Sequence, residues 1–463
     1  MNSVDVVIMA AGKGVRMKSR LPKVLHRLAG RPLLQHVITS VAALQARRVV
    51  VITGSGAQQV EAAVTGWGGP GPAPVFVRQE PQLGTGHAVQ QAVPVLPDDG
   101  TTLILNGDVP LIEAPTLQRL LESAGGGLAL LTVEMHDPTG YGRIVRSGEA
   151  VRAIVEHKDA SEQQRGIPEI YTGVMAVPNL LLKRWLARLG NDNAQGEYYL
   201  TDIVKMAVDD GAGVIAVKTQ DRVQVDGVNS PVQLAELERA YQLRRARALM
   251  EQGVRLADPA RFDLRGELAC GEDVEIDVNC VFEGRVSLGD GVKIGANCVI
   301  ANADIAASAV IHPFTHIDGE QAGVRVGEGA LIGPFARLRP GAVLGAQVHI
   351  GNFVEVKNST LGRGAKANHL AYLGDATVGE RVNYGAGSIT ANYDGANKHR
   401  TLIEDDVHVG SNSVLVAPVT IGRGGTVGAS STITKSTPPG ALSIARGKQV
   451  SIDGWQRPKK AGK

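Results

Sequence analysis

The sequence has few cysteines, few aromatic residues and no excess of charge of one sign. Its three cysteines, Cys270, Cys280 and Cys298, form no C-x-x-C pair, so neither a disulfide framework nor a cysteine metal cluster is indicated. Reduced thiols in a cytoplasmic protein are the simpler expectation. Lys plus Arg (48) nearly balances Asp plus Glu (46), which argues against a broad nucleic-acid or membrane surface.

Long apolar runs are also missing. No segment approaches the roughly 18 consecutive apolar residues that a membrane helix needs, so we expect no membrane insertion. The apolar run Val4 to Ala11 is short, contains Asp5 and has no basic flank before it, so it does not resemble a signal peptide.

The chain has 463 residues, which is too long for a single hydrophobic core of ordinary size. Its two parts have different patterns of apolar residues. Residues 1–229 alternate short β-branched runs such as "VDVVIMA", "RRVVVITG" and "TTLILNGDVPLI" with helical segments. This alternation predicts an α/β domain with a Rossmann-like, mostly parallel sheet. Ligands of such sheets bind at the carboxyl ends of the strands.

Residues 230–252 have helical apolar spacing, with Ser230 as a plausible N-cap and Pro231 at the first helical position. We predict a long linker helix there. It would join the first domain, 1–229, to a second domain at 253–463.

In the second domain, aliphatic residues recur every six positions. The series contains Leu288, Ile294, Ile300, Val326, Ile332, Leu338, Leu344, Ile350, Val356, Ile403, Val409, Leu415, Ile421, Val427 and Ile433. A coil with flat faces of six residues stacks every sixth side chain inside, so the pattern predicts a hexapeptide-repeat parallel β-helix. The breaks at 319–323 and 390–401 are predicted to be loops that leave the coils.

A basic, glycine-containing loop follows the first predicted strand. The stretch "MAAGKGVRMKSRLPKVL" places Gly12 and Gly14 among Arg16, Lys23 and other cations. Glycines let backbone N–H groups approach a polyanion while cations neutralise it, which suits a phosphate site. A basic surface turn is the alternative. Asp108, at the end of a later strand, favours the phosphate site, because a carboxylate there could hold a metal ion.

The GxGxRM loop with its following PK, the NGDVPL strand end and the hexapeptide repeats together resemble the bacterial bifunctional N-acetylglucosamine-1-phosphate uridyltransferase/glucosamine-1-phosphate acetyltransferase family. Further matching motifs include "QLGTGHA", "IVEHKDA", "NAQGEYYLTDI", "GNFVEVKN", "NHLAYLGDA" and "NYDGANK". The resemblance covers nearly the whole chain. It implies a left-handed β-helix that acetylates glucosamine 1-phosphate with acetyl-CoA, and a first domain that joins UTP to N-acetylglucosamine 1-phosphate. The product, UDP-N-acetylglucosamine, would serve cell-wall synthesis.

For the uridyl site, the resemblance implies catalytic Arg16 and Lys23 at the triphosphate and a Mg²⁺ site at Asp108 and Asn229. The implied substrate-binding residues are Ala10, Ala11, Gly12, Gln79, Gly84, Thr85, Gly142, Glu156, Tyr171 and Asn229. One position departs from the family pattern. Where members commonly have Asn in "EINTG", this chain has Tyr171, whose phenol could reach a sugar hydroxyl only from further away.

For the acetyl site, an amine must lose a proton before it attacks a thioester, so a base that titrates near neutral pH is needed. The resemblance assigns this role to His369, with Glu355 as a weaker candidate to orient it, and oxyanion stabilisation to Asn392. The implied sugar-phosphate residues are Arg339, Lys357, Tyr372, Asn383, Tyr393 and Lys398. The implied acetyl-CoA contacts are Ala386, Ser411, Ala429 and Arg446. β-Helices of this kind pack as trimers, so a homotrimer with sites between subunits is expected.

Two alternatives from other functional classes remain open at this point. In one, the chain is a nucleotidyltransferase whose β-helix only trimerises it, although the acetyl-site residues argue against this. In the other, it is a non-enzymatic sugar-nucleotide sensor, which would be expected to lack Lys23 or Asp108. Both residues are present.

Overall fold

The chain divides into two compact units, Met1–Tyr241 and Gln242–Lys463. The computed structural model describes residues 3–68 and 71–457, so the end of the domain predicted over 253–463 lies outside the described residues. No helix among the described residues is long and apolar enough to cross a membrane.

The first unit alternates strands and helices. Its strands are β1 (Val4–Met9), β2 (Arg27–Leu28), β3 (Arg31–Pro32), β4 (Arg48–Thr53), β5 (Val75–Arg78), β6 (Thr101–Asn106), β7 (Leu128–Glu134), β8 (Arg143–Ser147), β9 (Ala150–Val155), β10 (Glu169–Pro178) and β11 (Val214–Lys218). Its helices are α1 (Leu33–Ala42), α2 (Ala57–Trp67), α3 (Thr85–Gln90), α4 (Ala114–Ala124), α5 (Glu162–Arg165), α6 (Asn179–Leu186) and α7 (Asp202–Asp209). Short 3₁₀ turns lie at Val15–Met17, Lys23–Leu25, Val93–Val95 and Arg222–Gln224.

Nine of these strands form one sheet in the order β11-β7-β10-β6-β1-β4-β5, with the β8–β9 hairpin joined to β10, and β2 and β3 form a separate antiparallel pair. The β1–β4, β1–β6, β4–β5 and β7–β11 pairs are parallel, and β10 is antiparallel to both of its long neighbours. The predicted mostly parallel Rossmann-like sheet is confirmed.

Helices cover both faces of this sheet, which is why its central strands are apolar almost throughout. Val6 and Ile8 of β1 pack with α1, α2 and α4, while Val7 packs on the opposite face with α3, α6 and α7. In the parallel registers, Met9 lies beside Ile52 on one side and Asn106 on the other. The segments that follow β1, β4 and β6 therefore emerge at the same edge of the sheet.

Helix α8 (Pro231–Glu251) contains the division between the two units. Ser230 precedes it, and its Oγ accepts a hydrogen bond from the Gln233 N–H at 3.3 Å, as expected of an N-cap. A 3₁₀ turn at Pro259–Arg261 then leads into the coils of the second unit.

In the second unit, parallel strands stack from coil to coil. One stack contains Arg255–Leu256, Glu275–Ile276, Lys293–Ile294, Val310–Ile311, Leu331–Ile332, His349–Asn352, Lys366–His369, Asn383–Tyr384, His408–Val409, Thr426–Val427 and Leu442–Ser443. The longer strands Phe262–Cys270, Cys280–Leu288 and Val299–Ile305 lead into two further stacks. The first of these contains His316–Asp318, Arg337–Leu338, Glu355–Lys357, Tyr372–Gly374, Ile389–Ala391, Val414–Val416 and Thr432–Ile433. The second contains Val324–Val326, Val343–Leu344, Thr360–Leu361, Ala376–Val378, Thr401–Ile403 and Val419–Ile421.

This arrangement is that of a left-handed parallel β-helix, as predicted. Every aliphatic residue of the predicted six-residue series lies in one continuous buried cluster. The two predicted breaks also coincide with gaps between strands, from Asp318 to Val324 and from Ala391 to Thr401.

Candidate active sites

The basic loop leaves the sheet at the end of β1 and turns back through Gly14. This glycine has φ +56°, and a Cβ there would lie 2.8 Å from Lys23 Cβ, so a side chain would push Lys23 away. Gly12 and Arg16 are exposed on the same loop, and a Cβ at Gly12 would meet no atom within 4 Å. The protein itself does not require glycine at that position. The open space leaves room for a ligand to approach the backbone.

Lys23 lies between two oxygen ligands. Its ammonium contacts Asp108 Oδ2 and donates to Asn229 Oδ1 at 3.0 Å, and the Lys23 and Asp108 side chains are only 15% and 16% exposed. The Val228 N–H donates to the Asp108 carbonyl at 2.9 Å, which places Asn229 beside the end of β6. Two residues far apart in sequence therefore direct their oxygens at one cation.

A second loop at the same edge follows β5. Gln79 is buried, and its Nε2 donates to the Gly84 carbonyl at 2.9 Å. Gly84 has φ +107°, and a Cβ there would lie 2.6 Å from the Tyr198 carbonyl oxygen. The Leu200 N–H donates to Thr85 Oγ1 at 3.0 Å. Gln79, Gly84 and Thr85 thus lie together, with the loop held close to the segment before α7.

Gly142, Glu156 and Tyr171 also lie together. The Tyr171 N–H donates to the Gly142 carbonyl at 2.9 Å, and a Cβ at Gly142 would lie 3.6 Å from the Glu156 carboxylate oxygens. Thr201 Oγ1 donates to Glu156 at 2.9 Å, and burial raises the pKa of that carboxyl above its ordinary value. These three residues therefore lie side by side, and Glu156 contributes a carboxylate among them.

Tyr171 is buried in an apolar cluster of the first unit. Its ring packs with residues such as Ile144 and Ile154, and among the described residues its buried hydroxyl has no hydrogen-bond partner. The pKa of the phenol is raised well above 10, mainly by burial and to a lesser extent by the charge of Glu156. In this chain the position that departs from the family pattern holds an enclosed ring, and its hydroxyl is not at the surface.

In the β-helix, the predicted base and three of the predicted acetyl-CoA residues occupy equivalent positions on successive coils. Parallel registers pair Ala367 with Tyr384, Tyr384 with Val409 and Val409 with Val427. The residues two positions further on are therefore aligned in a row, which we call the corner row: His369, Ala386, Ser411 and Ala429. The fourth predicted contact, Arg446, lies beside it and donates to the Ala429 carbonyl at 2.8 Å.

Asn352 extends the corner row by one coil and was not predicted as a site residue. It is the register partner of His369, and its Oδ1 lies 2.9 Å from His369 Nδ1. The repeat contained a usable signal, because Asn352 stands two residues after Ile350 just as His369 stands two after Ala367. Glu355 instead accepts from Arg339 Nη1 at 2.8 Å.

Several of the predicted sugar-phosphate residues form a cationic face on another stack. Arg339 and Lys357 each stand one position after an inward aliphatic residue of paired strands, and Tyr372 lies on the next coil. The pKa of Lys357 is lowered, mainly by contact with the Lys398 ammonium and to a lesser extent by burial. Adjacent ammonium groups repel unless an anion lies between them, so this face is suited to a phosphate.

The loop after Ile389–Ala391 brings Lys398 to this face. Tyr393 pairs with Lys398 across the loop, is 62% exposed and donates to the Gly395 carbonyl at 2.6 Å. Asn392 is buried at the base of the loop, where its Nδ2 donates to the Asp375 carboxylate. Asn383 is exposed on the stack that carries His369, so it is not on the cationic face itself.

No group of three or more His, Cys, Asp or Glu side chains that could hold a metal ion occurs in the part of the chain that the structure describes. The pair formed by Asp108 and Asn229 is therefore the arrangement that bears on the predicted Mg²⁺ site. The Lys23 ammonium between their oxygens is a stand-in cation, so these residues fit a metal that keeps most of its coordination for water and phosphate.

The comparisons with known proteins find a different family model in each of the two units. A model of the MobA-like NTP transferase domain matches residues 6–173, and a model of the bacterial transferase hexapeptide matches residues 270–302, 323–358 and 400–435. A solved UDP-glucose pyrophosphorylase complexed with UDP-glucose covers 52% of this chain and 100% of its own, at 16% identity and a TM-score of 0.44, a likeness too weak to support a conclusion.

Curated relatives match over the whole length. A bifunctional protein GlmU of Polaromonas sp. strain JS666 is 73% identical and the match covers 99% of both chains. Another from Paracidovorax citrulli is 72% identical, with 100% of both chains covered. The identity extends over both units and is far above what a shared fold alone would require, and the chain therefore belongs to the family of bifunctional GlmU proteins.

Proposed function

We propose that this chain makes UDP-N-acetylglucosamine, a precursor of peptidoglycan and lipopolysaccharide, in two reactions. The β-helix transfers acetyl from acetyl-CoA to glucosamine 1-phosphate. The first unit then transfers uridylyl from UTP to N-acetylglucosamine 1-phosphate and releases pyrophosphate. The observation that carries the proposal is the pair of separate sites: converging cation ligands at the sheet edge of one unit, and the corner row beside a cationic face in the other.

In the uridyl reaction, two anions must meet, so alignment and charge neutralisation are the main requirements. We assign Gly12 and Arg16 to the triphosphate, together with the backbone of Ala10 and Ala11. Bound by Asp108 and Asn229, Mg²⁺ would neutralise charge on phosphate oxygens. Lys23 would then direct its ammonium to the α-phosphate.

The remaining residues of the first unit would recognise the base and the sugar. Gln79, Gly84 and Thr85 are assigned to uracil, since their loop is rigidly held and offers backbone groups that can pair with a base edge. Gly142 and Glu156 are assigned to the N-acetylglucosamine moiety, because a carboxylate accepts hydrogen bonds from sugar hydroxyls. Tyr171 would line the sugar site through its ring.

In the acetyl reaction, His369 Nε2 would take a proton from the amine of glucosamine 1-phosphate. The amine attacks the thioester carbonyl, the C–S bond breaks, and the proton that His369 has taken passes to the sulfur, so that coenzyme A leaves as the thiol. Asn392, held at one N–H by Asp375, would present the other to the oxyanion. Arg339, Lys357 and Lys398 would hold the phosphate.

The other assignments at this site concern substrate contacts further from the reacting atoms. Tyr372, Asn383 and Tyr393 would complete the sugar-phosphate site. Ala386, Ser411, Ala429 and Arg446 would bind acetyl-CoA, with the first three contributing backbone groups along the corner row.

We further propose that the chain works as a cytoplasmic homotrimer formed through its β-helix. Phe314, Phe335, Phe353 and Leu370 line one corner of successive coils and are 48–63% exposed. The three phenylalanine rings stack with centroid distances of 5.0 and 5.5 Å. An apolar ladder of this kind favours burial against other copies of the chain. Cytoplasm is where UTP and acetyl-CoA are available.

The deciding experiment measures thiol release from acetyl-CoA with glucosamine 1-phosphate, and pyrophosphate release from UTP with N-acetylglucosamine 1-phosphate, on the same preparations. We expect His369→Ala to lose only the first activity and Asp108→Ala only the second. A wild-type protein that releases pyrophosphate but no thiol would make the β-helix a trimerisation scaffold. Absence of both activities would favour a sensor, and loss of both in either variant would contradict separate sites.

A further inference from the structure

The side chain of Asn352 occupies the position next to His369 in the corner row. We propose that Asn352 is a positioning residue for acetyl transfer, which keeps the His369 proton on Nδ1 and leaves the lone pair on Nε2 free to act as the base. This inference rests on the proposed acetyltransferase function. It adds to that function a residue that selects the tautomer of the base.

The hydrogen-bond chemistry sets the direction of this contact. The distance between Asn352 Oδ1 and His369 Nδ1 is 2.9 Å, and an amide oxygen can only accept a hydrogen bond. The His369 Nδ1 must therefore carry the proton when the bond forms. In a neutral imidazole the other nitrogen then has the free lone pair, and the bond also limits rotation of the ring.

The strands hold the two side chains together without help from a loop. Asn352 ends one strand and His369 ends the next, and they are register partners in a parallel pair. The Leu370 N–H also donates to the Asn352 carbonyl at 3.1 Å, so the backbone continues the pairing just past the base. The contact is thus a product of coil stacking, and it needs no ligand to form.

Glu355 is the obvious competing orienter, because a carboxylate often supports a catalytic histidine. Its Oε1 accepts from Arg339 at 2.8 Å, and its Oε2 lies 3.9 Å from Arg337 Nη1. In the described part of the chain, the His369 ring has its side-chain hydrogen bond with Asn352 and none with Glu355. Glu355 therefore acts on the arginines of the cationic face.

The test uses the full chain with Asn352→Ala and Asn352→Asp, assayed for thiol release at pH 8. Partners that orient a histidine are typically worth 10- to 100-fold in metal sites, and we expect a similar loss of about 10- to 100-fold in kcat for Asn352→Ala. The KM values for acetyl-CoA and glucosamine 1-phosphate should stay within about twofold, because the residue contacts the base and not the substrates. Asp also accepts but does not donate at this pH, so Asn352→Asp should restore most of kcat.

The matched control is Ser287→Ala, which removes another hydrogen bond between neighbouring coils, from Ser287 Oγ to Asp304 Oδ1 at 2.6 Å, away from the site. It should leave both activities unchanged, and uridyl transfer should be unchanged in every variant. Normal thiol release by Asn352→Ala, while His369→Ala is inactive, would overturn the inference but leave the acetyltransferase intact. Failure of Asp to rescue would also overturn it. No thiol release by wild type would instead overturn the proposed function.

Discussion

Replacing Tyr171 with Phe tests whether the enclosed phenol contributes to sugar binding or only fills space. The Tyr171 hydroxyl is buried and, among the described residues, has no hydrogen-bond partner. A buried hydroxyl without a partner costs about 1–3 kcal/mol. Because Phe keeps the ring and removes only this oxygen, we expect the variant to be more stable by about 1 kcal/mol. For a unit of this size, that corresponds to a rise in Tm of roughly 2–4 °C.

The measurement is differential scanning calorimetry of the full chain, combined with the KM for N-acetylglucosamine 1-phosphate in the pyrophosphate assay. Tyr199→Phe is the matched control. Tyr199 is 6% exposed, close to the 8% of Tyr171, but its hydroxyl donates to Asp159 Oδ2 at 3.1 Å. The control should therefore lose about 1 kcal/mol where Tyr171→Phe gains it.

A lower Tm for Tyr171→Phe, with a several-fold higher KM for the sugar phosphate, would refute this reasoning. The hydroxyl would then have a partner in the working enzyme, and the assignment of the Tyr171 ring alone to the sugar site would be wrong. An unchanged KM with a higher Tm would mean that the aromatic residue acts through its ring alone.

Three further predictions concern Gly84, Tyr384 and the loop that contains Asp394. Gly84→Ala places a Cβ 2.6 Å from a backbone carbonyl at φ +107°, so uridyl transfer at limiting UTP should fall at least about tenfold with thiol release unchanged; equal loss of both would contradict separate sites. Tyr384→Phe removes another buried hydroxyl that lacks a partner in the described residues, and calorimetry should show the β-helix gaining about 1 kcal/mol, whereas a loss would reveal a bound water. The hydrogen bond from the Asn397 N–H has the largest effect on the pKa of Asp394, and the one with the His399 side chain has the next largest; both hold this pKa below its ordinary value. The ionised carboxylate therefore stabilises the loop above about pH 4, and this contribution is lost as the pH falls further. At pH 7, Asp394→Ala should speed amide exchange in this loop and raise the KM for glucosamine 1-phosphate, and unchanged exchange would show that the Asp394 carboxylate does not stabilise the loop.

The fold was predictable because its signals are local and repeated. An inward aliphatic residue at every sixth position predicts the β-helix in each part of the second domain where the repeat occurs. The two interruptions of the repeat, at 319–323 and 390–401, coincide with gaps between strands. In the first unit, alternating apolar strands and helices predict a parallel sheet, and its geometry places Asp108 at the same edge as the glycine loop. The sequence gives no comparable signal that β10 lies antiparallel between β6 and β7. A strand that is buried on both faces has the same apolar composition whether it runs parallel or antiparallel to its neighbours.

The sites were predictable only in part, because several contacts join residues that are remote in sequence. Lys23 meets Asn229 across 206 positions, which no local pattern reports. For Tyr171, the sequence indicates an unusual residue but does not indicate that its hydroxyl is enclosed. Glu355, predicted as a weaker candidate to orient the base, is engaged by Arg339 and lies 3.9 Å from Arg337, contacts that its local sequence does not indicate.

The corner row explains how unequal spacing in the sequence becomes an ordered site in space. Neighbouring parallel strands lie about 4.8 Å apart, so the three steps from His369 to Ala429 cover about 14 Å, a length suited to an extended pantetheine arm. Intervening loops change the count of residues between steps but not the pitch of the coils. Asn352 stands one step beyond His369 on the side opposite to the proposed acetyl-CoA contacts. Asn352 can therefore hold the imidazole at Nδ1 without occupying the space that the thioester needs. A residue that acts only on the base requires such a position.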